Sequence, residues 1–116
     1  MSDTYIKVDG DRYRVEEAKT LIQKAWGLSM REKGKMLFVF EKPQKPTFDM
    51  MLVQHPLHMY FIDSQQEVRD RVKAEPWTLD PRTWKLYRPE RPVKYVLESF
   101  EDLDLQQGDK IQMLSH

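Results

Sequence analysis

Met36-Leu37-Phe38-Val39-Phe40 is a run of five apolar residues, three of them aromatic or β-branched. A run this short and this rich in β-formers reads as a strand buried on both faces. Pro43 and Pro46 break the chain after it. A second apolar run follows, Phe48-Asp49-Met50-Met51-Leu52-Val53, and beyond Pro56 a third, His58-Met59-Tyr60-Phe61-Ile62. Both are expected to be strands. Asp63-Ser64-Gln65-Gln66 has turn composition. In the next strand Val68 and Val72 face inward, while Arg69, Arg71 and Lys73 point the other way. Trp84-Lys85-Leu86-Tyr87, set between prolines, is expected to be a short edge strand. Val93–Glu98 and Lys110–Leu114 are the last two strands, with Gly108-Asp109 at the turn before the final one.

Upstream, Tyr5-Ile6-Lys7-Val8 and Arg12-Tyr13-Arg14-Val15 flank Asp9-Gly10, a dipeptide that favours the type I′ turn of a two-residue hairpin. The period then changes. Ala18, Leu21, Ile22 and Ala25 recur at helical spacing, with Lys19, Gln23 and Lys24 outward and Gly27 placed as a stop. This predicts a helix over Glu16–Trp26. The fold expected is mainly β: an antiparallel β-sandwich or squashed barrel with one α-helix from the N-terminal half packed on it. Helices do not alternate with strands, which excludes a doubly wound α/β fold.

The chain has 116 residues, enough for one domain over 1–116, and 40% of them are hydrophobic. Charged residues make up 33%, above the roughly 25% of ordinary globular proteins, yet 19 Lys and Arg balance 19 Asp and Glu. A net charge of zero argues against a generic polyanion binder. The absence of Cys excludes a disulfide scaffold, a thiolate nucleophile and cysteine-ligated zinc or iron–sulfur sites. No apolar run approaches the roughly 20 residues a membrane helix needs. No targeting segment is visible, and together with the missing cysteines this points to the cytoplasm.

The histidines His55 and His58 are three apart. An odd offset sends two rings to opposite faces of a strand, so no metal site is expected. Only four glycines are present, at 10, 27, 34 and 108, with neither G-x-G-x-x-G nor G-K-[ST], so no nucleotide cofactor is implied. No serine stands in a nucleophile-elbow context. The candidates for acid–base chemistry are Asp49, His58, Asp63 and Glu98, set around the central strands. From Arg69 to Lys94 the chain carries eight Lys and Arg against four acids, interleaved with Trp77, Trp84 and Tyr87. Stacking rings among cations suit a sugar, an anion or a single-stranded nucleic acid. The same tryptophans also serve as ordinary cover over a core.

The order of these elements and several short strings resemble those of one family, domain of unknown function 192, also called uncharacterised protein family 0127, in its archaeal-type branch. The resemblance runs from about residue 18 to 114. It rests on Ala25-Trp26-Gly27-Leu28 with Met30, Met36–Phe40, Phe48 with Met50, Pro56-Leu57, Phe61-Ile62-Asp63, Pro76-Trp77, and Tyr95-Val96-Leu97-Glu98 with Gly108-Asp109-Lys110-Ile111. The resemblance implies a mainly β fold and no established reaction. The chain departs from the family where many members read Trp-Met-Lys-Asn: here stand Asp49-Met50-Met51-Leu52, and His58 replaces an Asp.

These readings favour a non-catalytic domain that binds a small or extended polar ligand. The expected cleft is lined by Met50, His58, Trp77, Trp84, Tyr87 and Arg88. Two alternatives stand beside it. One is a hydrolase or isomerase using His58 with the Asp and Glu carboxylates. The other is an interaction module using an exposed strand edge at 84–87.

Overall fold

The computed structural model describes residues 2–19 and 31–114. Seven strands form one sheet: β1 (Ser2–Val8), β2 (Asp11–Ala18), β3 (Lys35–Gln44), β4 (Leu57–Ile62), β5 (Val68–Ala74), β6 (Val93–Ser99) and β7 (Gln112–Leu114). Their order across the sheet is β5-β4-β6-β3-β2-β1-β7. All pairings are antiparallel except that of β2 with β3, which is parallel.

The β1–β2 hairpin turns through Asp9 at φ 49° and Gly10 at φ 88°. Two consecutive positive φ values define the type I′ turn that Asp-Gly favours. Glu16, Glu17 and Ala18 do not begin a helix. They extend β2 and pair with Met36, Leu37 and Phe38 of β3. Here tertiary pairing overrides a local helical pattern. The remainder of the predicted helix, from residue 20 onward, lies outside the described residues. Among the described residues the only helical element is a 3-10 turn over Pro81–Thr83.

Two cores lie on opposite faces of the sheet. Met36, Phe38 and Phe40 of β3 join Met59 and Phe61 of β4 and Val96 of β6 on one face. Leu37, Tyr60, Ile62 and Leu97 pack on the other, against Ile6 and Val8 of β1 and the returning Leu103, Leu105 and Ile111. The run at 36–40 is therefore buried on both sides, as its composition implies. The sheet curls until its two edges meet at one end. There Val68 N donates to Asp109 O (2.7 Å), Gly108 N to Val68 O (2.8 Å) and Ile111 N to Gln66 O (3.0 Å).

Two expected strands are loops instead. Phe48–Val53 crosses the first core face without a ladder, because Asp49 turns the chain: its Oδ1 accepts from Met51 N at 3.1 Å. Trp84–Tyr87 is not an edge strand. Phe48 and Tyr87 form a single isolated bridge, with N–H···O distances of 2.8 Å in both directions.

Candidate functional site

Glu98 lies on β6 between two partners, opposite Met36 of β3 and Met59 of β4. Directly paired residues share a face, so its carboxyl stands among methionines on the Phe38–Phe61 side. The residue is 4% exposed. Burial, reinforced by the negative charge of Asp49, pushes its pKa up to about 8. No hydrogen bond or cation from the described residues offsets these effects. Glu98 therefore holds its proton well above the ordinary carboxylate range, and in that neutral form it is a hydrogen-bond donor as well as an acceptor.

The Phe48–Tyr87 bridge sets Asp49 and Met50 over this face. Phe48 meets the Phe38 ring edge-on at 5.3 Å, and Met50 is fully buried in the same core. Trp77 and Tyr87 pack on that core as well. Trp77 stacks against Trp84 with centroids 6.0 Å apart and planes at 26°. Both indole N–H groups are engaged within the loop: Trp77 Nε1 donates to Lys85 O (2.9 Å) and Trp84 Nε1 to Thr78 O (2.8 Å). The pair thus holds its own loop in place, yet Trp84 stays 52% exposed. Arg88 is exposed beside Tyr87.

His58 and Asp63 do not join this group. His58 precedes Met59 on β4 and takes the opposite face, where its partners are Ser99 and Lys73. Asp63 holds the β4–β5 turn, its Oδ1 accepting from Gln65 N (2.9 Å) and Glu67 N (3.0 Å) and its Oδ2 from Arg69 Nε (2.6 Å). Burial alone would raise its pKa; the Glu67 N–H, Arg69 and the Gln65 N–H outweigh it and hold the carboxyl low.

Around His58 the fold gathers residues that sequence reasoning did not single out. Tyr60 Oη donates to Asp102 Oδ1 (3.0 Å) and accepts from Leu103 N (3.0 Å). Burial pushes the phenol up to about 12. The Asp104 N–H, the Tyr60 hydroxyl and the charges of His58 and Arg71 together lower the Asp102 carboxyl against a smaller effect of burial. Strand alternation puts Tyr60 and Arg71 on the His58 face, but nothing local in the sequence brings Asp102 there.

Several of the eight cations of the 69–94 stretch are held by acids or carbonyls of the chain itself. Arg69 pairs with Asp63 and Glu67, Arg82 with Asp80, and Lys94 Nζ donates to the carbonyls of Phe40 and Glu41. Among the described residues no three His, Cys, Asp or Glu side chains converge on a metal-sized space. None of the described helices is long and apolar enough to cross a membrane.

The curled seven-stranded sheet, with a core on each face, defines a class of small, mainly β domains. Within it, the chain belongs to the family DUF192 (Uncharacterized ACR, COG1430), whose model matches residues 4–113. It is 27% identical over 109 residues to a UPF0127 protein of Pyrococcus abyssi (strain GE5 / Orsay), covering 88% of this chain and 87% of that one. A UPF0127 protein of Pyrococcus furiosus is 26% identical over 109 residues, covering 87% of each. Two crystal structures share the fold. One, a "putative transcription regulator" from Sinorhizobium meliloti 1021, superposes with a TM-score of 0.80 at 24% identity, over 97% of this chain and 94% of that one. The other, a protein of unknown function from Novosphingobium aromaticivorans DSM 12444, gives 0.75 at 23%, over 95% and 83%.

Proposed function

We propose that this chain is a non-catalytic binding domain for a small, uncharged, hydroxyl-bearing ligand of the sugar or polyol class, held at Glu98. The observation that carries the reading is Glu98 itself: a residue 4% exposed, among methionines, on which the charge of Asp49 acts. Holding a carboxyl against an apolar face costs stability, and acids with displaced pKa values cluster at functional sites. The neutral acid donates one hydrogen bond and accepts others, and Asp49 only accepts. Neighbouring hydroxyls complement that pair, whereas an anion is repelled by Asp49. Met50, Trp77, Trp84, Tyr87 and Arg88 lie on the same side of the sheet or in the loops that border it, and the exposed Trp84 face offers a surface on which a sugar ring can rest.

The hydrolase or isomerase reading needs His58 beside these carboxylates, and the sheet stands between them. The experiment is a saturation-transfer NMR screen of neutral monosaccharides and inositol against the full chain. The reading expects at least one to bind saturably, with binding lost in Glu98→Leu and retained in Lys42→Gln. Absence of binding across the series, or equal binding by Glu98→Leu, refutes it.

A further inference from the structure

The β4–β5 pairing sets His58 opposite Lys73 and Tyr60 opposite Arg71, so all four side chains rise from the face that Glu98 does not use. With Val72 and Asp102 they line a hollow of about 280 Å³. Its parts are held in place. The Tyr60 hydroxyl is satisfied in both directions, by Asp102 and by Leu103 N, so the ring is a fixed wall. Asp102 is held in turn by Tyr60 and by Asp104 N (2.8 Å). Arg71 Nη1 donates to Leu105 O (3.3 Å), which anchors one edge of the guanidinium and leaves its other N–H groups available. Lys73 is exposed and makes no ion pair with a described carboxylate.

Two permanent cations and an imidazole therefore surround one carboxylate, which leaves positive charge in excess at a concave point. Elsewhere in the 69–94 stretch, Arg69 and Arg82 have acids beside them. We propose that this hollow is a second binding site, and that it takes a small tetrahedral oxyanion of the phosphate class. A planar carboxylate would be satisfied by the arginine fork alone. A tetrahedral anion also meets the point charge of Lys73 and an imidazole N–H from other directions. The volume lies just below the roughly 300–1,000 Å³ of sites for drug-sized molecules, which suits a single phosphate group and not a nucleotide. This site is independent of the Glu98 reading, because the two share no residue and face opposite ways.

The test is a titration of the full chain with inorganic phosphate at constant ionic strength, followed in ¹H–¹⁵N spectra. Expected are saturable shifts at His58, Arg71, Lys73 and the 102–104 amides. Lys73→Gln and Arg71→Gln should each weaken binding by about tenfold or more, the scale of one lost charge-assisted hydrogen bond. Lys73 is exposed, so its variant reports on the site even where Arg71→Gln perturbs the fold. Absence of saturation at tens of millimolar phosphate overturns the proposal. So does an unchanged affinity in Lys73→Gln, or an equal response to chloride.

Discussion

Glu98 and Met59 stand opposite each other in the pairing of the two central strands, so a carboxyl occupies a place where the rest of the face is apolar. Its pKa near 8, against an ordinary 4.5, makes the folded state hold a proton that the unfolded chain has already lost. Stability from this group is fully present below about pH 4.5 and declines as pH rises toward 8. The unfolding free energy from denaturant titrations should fall over that window by an amount on the order of a few kcal/mol. Glu98→Gln should flatten the decline and be the more stable protein at the alkaline end. A variant that follows the wild-type profile would show that another group is responsible.

The Tyr60–Asp102 bond joins strand and return segment across the second core. Tyr60→Phe removes the donor to Asp102 and the acceptor of the Leu103 N–H, leaving both groups short of a partner. A loss of about 1–3 kcal/mol is expected in urea unfolding. The lowered pKa of Asp102 adds an acid-side signature. Its stabilisation is present above the unfolded value near 3.8 and is lost as pH falls through the lower folded value. Asp102→Asn should therefore be less stable than wild type at neutral pH, with the difference narrowing in acid.

Asp63 and Arg69 form a pair whose two halves are unequal. Asp63 is mostly buried and caps two backbone N–H groups, whereas the Arg69 side chain is 53% exposed. Asp63→Ala should cost about 1–2 kcal/mol through the turn it holds. Arg69→Ala should cost about 1 kcal/mol or less, as exposed ion pairs do. Thermal unfolding of the two variants distinguishes them, and equal losses would place the stabilisation in the ion pair.

Gly10 sits at φ 88°, and a Cβ added there meets nothing within 4 Å. Gly10→Ala therefore tests backbone strain without a steric clash. A loss of about 1 kcal/mol is expected from the left-handed conformation, measured by denaturant unfolding. No loss would show that the hairpin tolerates a different turn.

Most of the sheet was legible because burial on one or both faces imposes a period that the residues obey. Asp9-Gly10 and Met36–Phe40 each specified a local geometry; the Val68–Lys73 alternation did not, because a bulge in the β4–β5 pairing sets Val68 and Val72 against opposite cores. Phe48–Val53 misled because Phe48, Met50 and Val53 cover a sheet face from a loop, and covering demands apolarity without demanding a ladder. Glu16–Ala18 misled because parallel pairing with β3 decides their conformation, and that partner is distant in sequence. The candidate site divided in the same way. Glu98 and Asp49 were visible as carboxylates near central strands, but only cross-strand register shows Glu98 buried beside Met59 and places His58 on the other face. Asp102 was illegible because the chain returns to Tyr60 across 42 residues.

The most direct measurement is a ¹³C titration of the Glu98 side-chain carboxyl, followed by NMR without and with a saccharide identified by the screen. The carboxyl should titrate near 8, and its resonance should move when the saccharide binds. A carboxyl that titrates in the ordinary range near 4.5, or one that does not respond to a bound saccharide, would contradict the Glu98 reading.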